Sequence, residues 1–165
     1  MADTCPAAPD HESALADIIS DLQNTQSEAE AIAVSGELWA LWTDAPDARA
    51  QLLLDAGMQQ MSRGDLQGAY ATLDELVAYC PDYSEGYNQR AFASFLQQDF
   101  AAALVDLDRT LAILPNHVGA LAGKGLTLIG LGRDAEAQEA LKAAVALNPW
   151  LSERRLITEP DGTDI

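Results

Sequence analysis

Residues 97–103 read QQDFAAA, and the chain carries two near copies at a fixed distance: RGDLQGA at 63–69 and LGRDAEA at 131–137. Each offset is 34 residues. Laying the three segments over one another aligns much more than the turn. Pro81, Pro115 and Pro149 coincide, as do Gly57, Ala91 and Gly125, then Ala69, Ala103 and Ala137, then Leu73, Leu107 and Leu141. Self-similarity at a constant period of this length marks a stack of like units, each of which buries its apolar face against its neighbours.

Within each unit the pattern is that of two antiparallel helices. The first is expected over roughly 50–62, 84–96 and 118–130, and each ends near a Gly or Gln before a short turn. The second spans roughly 66–79, 100–113 and 134–147 and runs to the proline. Proline stops it because the preceding residue is disfavoured from α geometry and the ring supplies no N–H to continue the ladder. The small residues fall where two helices must approach closely.

A 34-residue helical hairpin with small residues at Gly57, Ala69, Ala91, Ala103, Gly125 and Ala137 and a closing proline resembles the tetratricopeptide repeat (TPR) family. The resemblance implies an all-α solenoid with a right-handed superhelical twist, with repeats at 50–83, 84–117 and 118–151. The family's aromatic late in the first helix is replaced here by Gln60, Ser94 and Leu128, and only Tyr87 supplies an aromatic near that helix's start.

The flanks are less regular. Residues 1–10 form an N-terminal arm. Over 11–49, Leu15, Ile18, Ile19 and Leu22 share one helical face, and Ile32, Leu38, Trp39 and Trp42 follow before the APDA break at 45–48. Pro46 precedes Pro81 by 35 residues, one more than the period, so this segment is expected to be a degenerate fourth hairpin capping the front of the stack, with the tryptophans in its core. At the other end, Trp150, Leu151 and Leu156 are expected to make a short cap within 152–165 and its immediate approach, followed by a frayed tail.

Composition agrees with stacked helices: 48% of residues are apolar, yet only 6% are aromatic, with Ala and Leu dominant. Charge is lopsided, 26 acidic residues against 9 basic, for a net charge of -17. From Met1 to Ala48 there are ten carboxylates and no Lys or Arg. A phosphate backbone or an anionic lipid surface is bound through Lys and Arg, so nucleic acid and membrane are poor partners; the acidic surface reads on charge alone as a solvated face, with the steering of a basic protein partner as the sharper alternative. No apolar run is long enough to cross a bilayer.

Cys5 and Cys80, the two cysteines, each precede a proline at a point where the chain is outside a helix, so both are free to pair. In a reducing compartment Cys80 would be a small apolar residue and Cys5 a loose thiol; in an oxidising one they have only each other. The blocks TCPAAPDHE, VAYCPDYSEGYNQRAF and ALNPWLSERRL resemble a group of small exported bacterial TPR proteins. That resemblance implies a Cys5–Cys80 bridge and a periplasmic or exported location behind a removed signal peptide, with a cytoplasmic location as the alternative.

Catalysis needs a nucleophile or an acid–base pair with an orienting partner. His11 and His117 have none at triad or metal spacing, and Asp74 with Glu75 and Asp106 with Asp108 read as a solvated face. Neither enzymatic activity nor a cofactor is expected. What the resemblance offers instead is a concave groove lined by the first helices: Leu54, Met58 and Met61, then Glu85, Asn88, Phe92 and Phe95, then Ala122, Leu126 and Ile129. Family members that grip a C-terminal carboxylate use Lys, Arg and Asn there, and only Asn88 matches. The expected function is therefore a protein-interaction module or assembly scaffold that takes a peptide with apolar anchors, with closure into a homo-oligomer as a sub-case. The alternative is a metal-binding or metallochaperone role built on acidic residues with His117 and Cys80.

Overall fold

Every regular element among residues 4–158, which the computed structural model describes, is helical. In chain order these are α1 (Glu12–Asn24), α2 (Glu28–Trp42), α3 (Ala48–Ser62), α4 (Leu66–Tyr79), α5 (Ser84–Leu96), α6 (Phe100–Ile113), α7 (Val118–Gly130), α8 (Asp134–Leu147) and a 3-10 turn (Ser152–Leu156). Residues 1–3 of the arm and 159–165 of the expected tail lie outside the described residues.

Local chemistry sets the repeat boundaries. The carboxylates of Asp65 and Asp99 accept the backbone N–H of Gly68 and Ala102, satisfying donors that the first turn of α4 and α6 would otherwise leave unpaired. Arg133 stands at that position in the third repeat and makes no such cap; its guanidinium instead pairs with Glu136. Asp47 caps α3 in the same way through Ala50, which starts that helix at Ala48, two residues before the expected point. Between the helices of each hairpin one residue takes a positive φ: Gly64 at 82°, Gln98 at 61° and Gly132 at 71°.

The hairpins α3–α4, α5–α6 and α7–α8 stack in sequence, with α4 against α5 and α6 against α7. The small residues mark the closest approaches. A Cβ on Gly57 would stand 2.6 Å from Leu73 Cγ, and one on Gly125 would meet Leu141 Cγ at 2.6 Å. Ala91 holds the corresponding place against Leu107. Ion pairs repeat with the same period: Arg90 Nη1 to Asp74 Oδ1 and Lys124 Nζ to Asp108 Oδ1 are both 2.7 Å, each linking the second helix of one repeat to the first of the next. Arg90 also holds both oxygens of buried Asp106, at 2.7 and 2.8 Å. Asp74 and Asp108 are thus repeat-to-repeat ties, and Asp106 ties the two helices of the second repeat together, in place of the plain solvated face expected of them.

The largest departure is at the N-terminus. The α1–α2 hairpin does not cap the front of the stack. It lies across the repeats, joining Ile19, Leu22, Ala31, Leu38 and Trp42 to Val118 of the third repeat, with Leu114, Leu147, Trp150 and Leu151 packed alongside. Gln23 donates to Ala146 O (3.0 Å), the Trp150 indole to Thr25 O (3.4 Å) and Asn148 to Ser35 Oγ (3.3 Å). Residues more than a hundred positions apart meet there. The end of α2 returns to the first repeat, where buried Tyr83 donates its hydroxyl to Trp42 O at 2.7 Å. Burial pushes that phenol well above the usual range. The N-terminal arm brings Cys5 against the first-repeat core and places its sulfur at bonding distance from that of Cys80, with the Cα atoms 5.2 Å apart.

Candidate functional site

Helices α5 and α7, the first helices of the second and third repeats, share one face of the stack. The α1–α2 hairpin crosses that face without filling it. What remains is a cleft of about 370 Å³. Its walls repeat at helical spacing: Ser35, Leu38, Trp39 and Trp42 from α2, Asn88, Phe92 and Phe95 from α5, and Gly119, Ala122, Gly123 and Leu126 from α7. Leu151 and Glu153 close the C-terminal side. A lining that is mostly apolar, with a few amide and hydroxyl groups, is the usual make-up of a binding cleft. No Lys or Arg lines it.

Trp39 and Phe92 are the large side chains that keep substantial exposure here, 40% and 49%. Phe95 is more enclosed, its ring edge-on to Phe100 at 5.4 Å. Behind the cleft sits a buried polar cluster. His117 and Glu85 are both fully buried, with Nε2 and Oε2 2.8 Å apart. The His117 Nδ1 accepts the Ala120 N–H at 3.0 Å, so the ring proton lies on Nε2 and is donated to Glu85. The other carboxylate oxygen of Glu85 accepts from Asn88 (3.1 Å) and Gln89 (2.7 Å). Trp42 stacks on the His117 ring at 3.8 Å, and Trp39 stands against Trp42 edge-on at 5.1 Å. The cluster therefore links three elements: α2 through its tryptophans, α5 through Glu85, and the start of α7 through the His117 cap.

Of the expected groove residues, the structure brings Asn88, Phe92, Phe95, Ala122 and Leu126 together in the cleft. Others fall elsewhere. Leu54 is fully buried and Met61 nearly so, both in the first-repeat core, with Met58 packed against them. Glu85 is sealed behind the cleft by His117, and Ile129 is exposed beyond its lining. The first repeat thus contributes core where groove was expected, because Leu54 and Met61 join a cluster with Leu73 and Leu76 of α4 and Ala93 of α5. Sequence reasoning missed the α2 wall. Its signal was present in Leu38, Trp39 and Trp42, but their partners are distant in sequence and nothing local names them. Trp42 is core, as expected; Trp39 is half out of it.

The metal-ligating alternative loses its donors. Both ring nitrogens of His117 are engaged in hydrogen bonds, and the Cys80 sulfur faces that of Cys5. His11 Nε2 lies 2.7 Å from a carboxylate oxygen of Asp44, tying the arm to the α2–α3 loop. Among the described residues no three His, Cys, Asp or Glu side chains gather as a cation site. Nor is any described helix long and apolar enough to cross a membrane.

No family model matches the chain. A TPR repeat-containing protein of Rhizobium etli is 29% identical over 117 residues, which cover 71% of this chain and 57% of that protein. The chain spans about half the length of the curated relatives it matches. Among solved structures, the TPR2B domain of yeast Sti1, in complex with pHsp70, is similar at a TM-score of 0.62 and 25% identity, over 67% of this chain and 91% of that one. The first TPR domain of Spaghetti (RPAP3), bound to the HSP90 peptide SRMEEVD, is similar at a TM-score of 0.64 and 21% identity, over 66% and 86% of the two chains.

Proposed function

We propose that this chain, a tetratricopeptide-repeat protein, is a non-enzymatic interaction module that holds a segment of a protein partner in the cleft between α2, α5 and α7. The observation that carries the reading is the cleft itself, which presents half-exposed Phe92 and Trp39 over a floor of Gly119, Ala122 and Gly123. Aromatic side chains kept partly exposed on a preformed surface are the usual anchors of an interface. The small floor residues leave room for a partner's side chains. Similar domains are described in complex with peptides, which supports the same mode of use here. The RPAP3 peptide SRMEEVD is acidic toward its end, and with no Lys or Arg in the cleft such a tail is a poor fit to this chain.

The test is site-specific photo-cross-linking from position 92 in the native compartment, with position 52, where Leu52 is exposed away from the cleft lining, as control. A discrete adduct from position 92 alone, lost when Phe95 is changed to Ala, is the expected result. Equal labelling from both positions would defeat the reading.

The same reading includes export. A bond between Cys5 and Cys80 would close a loop of 75 residues, and such a structural bridge persists in an oxidising compartment. Protein isolated from its native source under alkylating, non-reducing conditions should yield a linked peptide pair containing both cysteines. Two alkylated thiols would return the protein to the cytoplasm.

A further inference from the structure

The cleft has a charge character as well as a shape, and the two together narrow its occupant. The α1–α2 hairpin, which supplies one wall, carries Glu12, Asp17, Asp21, Glu28, Glu30 and Glu37 between residues 12 and 42 and not one Lys or Arg. Glu153 stands in the lining on the opposite side. The cations nearest in the fold are committed to other partners. Arg90 is held by Asp74 and Asp106, Lys124 by Asp108 and Arg133 by Glu136. Arg154, next to Glu153 in the chain, donates to the carbonyls of Trp150 and Leu151. Arg155, two residues after Glu153, is exposed. With a net charge of -17 on the whole chain, the protein's overall field favours a cationic partner.

Length is limited too. The α2 lining runs from Ser35 to Trp42 and the α7 lining from Val118 to Thr127. At 1.5 Å per residue these stretches are about 10 and 14 Å long, two to two and a half helical turns. A cleft walled by helices and floored by Gly119, Ala122 and Gly123 accepts the apolar face of a short helix, whose polar face then lies toward Glu153 and the cation-free hairpin.

Resting on the reading that this cleft is the binding site, we infer that its occupant is a short cationic amphipathic helix of a partner protein: two or three aliphatic or aromatic anchors enter between Trp39 and Phe92, and Lys or Arg side chains on the flanks meet the carboxylates of the hairpin and Glu153. The acidic surface selects against anionic segments by repulsion and raises the encounter rate for cationic ones.

Three synthetic fourteen-residue peptides test this by titration of tryptophan fluorescence and calorimetry on the full chain: an amphipathic Leu/Lys helix, the same helix with every Lys replaced by Glu, and a Ser/Lys peptide of equal charge without anchors. The Leu/Lys peptide should bind at least tenfold more tightly than either of the others, and weaken as salt is raised. Binding should fall at least tenfold in Phe92→Ala, a change at a half-exposed ring that leaves the fold intact, and in the Phe92→Ala, Phe95→Ala pair. Equal binding of the Leu/Glu peptide, or no binding of any, overturns the cationic-helix proposal while leaving the cross-linking result from position 92 to judge the cleft separately. Tight Leu/Lys binding that neither Phe change disturbs overturns both, since the peptide would then be held by surface charge alone.

Discussion

The three repeats over 48–147 and the hairpin over 12–42 are built of the same element, an antiparallel helix pair, and obey different rules. Inside the stack each residue meets its partners one period away or less: Gly57 meets Leu73, Gly125 meets Leu141, and Arg90 and Lys124 repeat one ion pair 34 residues apart. The hairpin meets residues at separations from 41, where Tyr83 bonds Trp42, to 113 and 125, where Ser35 touches Asn148 and Thr25 touches Trp150. A repeat stack propagates by nearest-neighbour contacts, so its pattern superposes on itself. An element that crosses the stack answers to no period. It is also the element that turns a continuous open face into a short cleft.

The sharpest way to break this comparison is to cut the pin between the two regions. His117 is fully buried between Glu85 of α5 and the Trp42 ring of α2. His117→Ala would take from the buried Glu85 carboxylate one of its three donors, remove the cap on α7 and open a gap beside Trp42. A lost donor to a buried charged acceptor together with a cavity costs about 3 kcal/mol or more. Chemical denaturation should show a loss of that size, and hydrogen exchange should rise first in α1 and α2, ahead of α5 to α8. Uniform acceleration through all eight helices would mean that hairpin and stack are one cooperative unit, and the distinction between them would be one of sequence only.

The arm makes the second test. Cys5→Ser and Cys80→Ser each remove the proposed bridge between the chain's start and the end of the first repeat. For a loop of 75 residues the chain-entropy estimate is about 4 kcal/mol, an upper figure for the loss. The expected outcome is a large fall in midpoint for either variant in oxidised protein and none in protein kept reduced. Loss of stability in the reduced protein as well would assign Cys80 a packing role in the first-repeat core, where it is 1% exposed.

These contrasts also explain what could be read beforehand. The six repeat helices were legible to within two residues because turn segments, small residues and prolines recur at 34, and recurrence separates signal from accident. Asn88, Phe92, Phe95, Ala122 and Leu126 were legible as a lining because they sit on the first helices, which share one face. Leu54 and Met61 were misplaced by the same logic: equivalence between repeats says which face a residue is on, and says nothing of what covers that face at one end of the stack. The α2 wall and the Glu85–His117–Trp42 cluster were illegible, since each joins groups whose spacing carries no pattern. His117 had a local role in view as the residue before α7, but its partner Glu85 lies 32 residues back, at the start of α5.

A smaller effect bears on the junction between the regions. Asp47 sits where the hairpin's exit loop becomes α3, accepting from Ala50 N and, at 2.6 Å, from the Tyr79 hydroxyl. These donors hold its carboxyl below the usual value, the Ala50 N–H contributing most. A group depressed in the folded state contributes stability above its unfolded pKa, near 3.8, and that contribution is lost as pH falls through the folded value. Asp47→Ala should therefore be less stable than the parent at neutral pH, and the gap should narrow below about pH 4. A constant gap across the acid range would make Asp47 a steric spacer with no charge-dependent part in the cap.

The smallest effect lies wholly within the repeats and tests how far their equivalence goes. The turn residue takes φ of 82° at Gly64 and 71° at Gly132, and the second repeat places Gln98 there at 61°. For a residue with a Cβ this left-handed region costs roughly 1–2 kcal/mol, whereas glycine enters it freely and is penalised instead by about 0.5–1 kcal/mol of chain entropy. Neither Gly64 nor Gly132 has a neighbour within 4 Å of where a Cβ would stand, so backbone conformation alone decides the outcome at those positions. Gln98→Gly should then raise stability by about 0.5 kcal/mol, and Gly64→Ala and Gly132→Ala should each lower it by about 1 kcal/mol. Equilibrium denaturation of the three variants resolves both signs. If Gln98→Gly were destabilising, the glutamine would be making contacts that the glycines at 64 and 132 never had, and the second repeat, which supplies Phe92 and Phe95 to the cleft, would be departing from the pattern for a reason of its own.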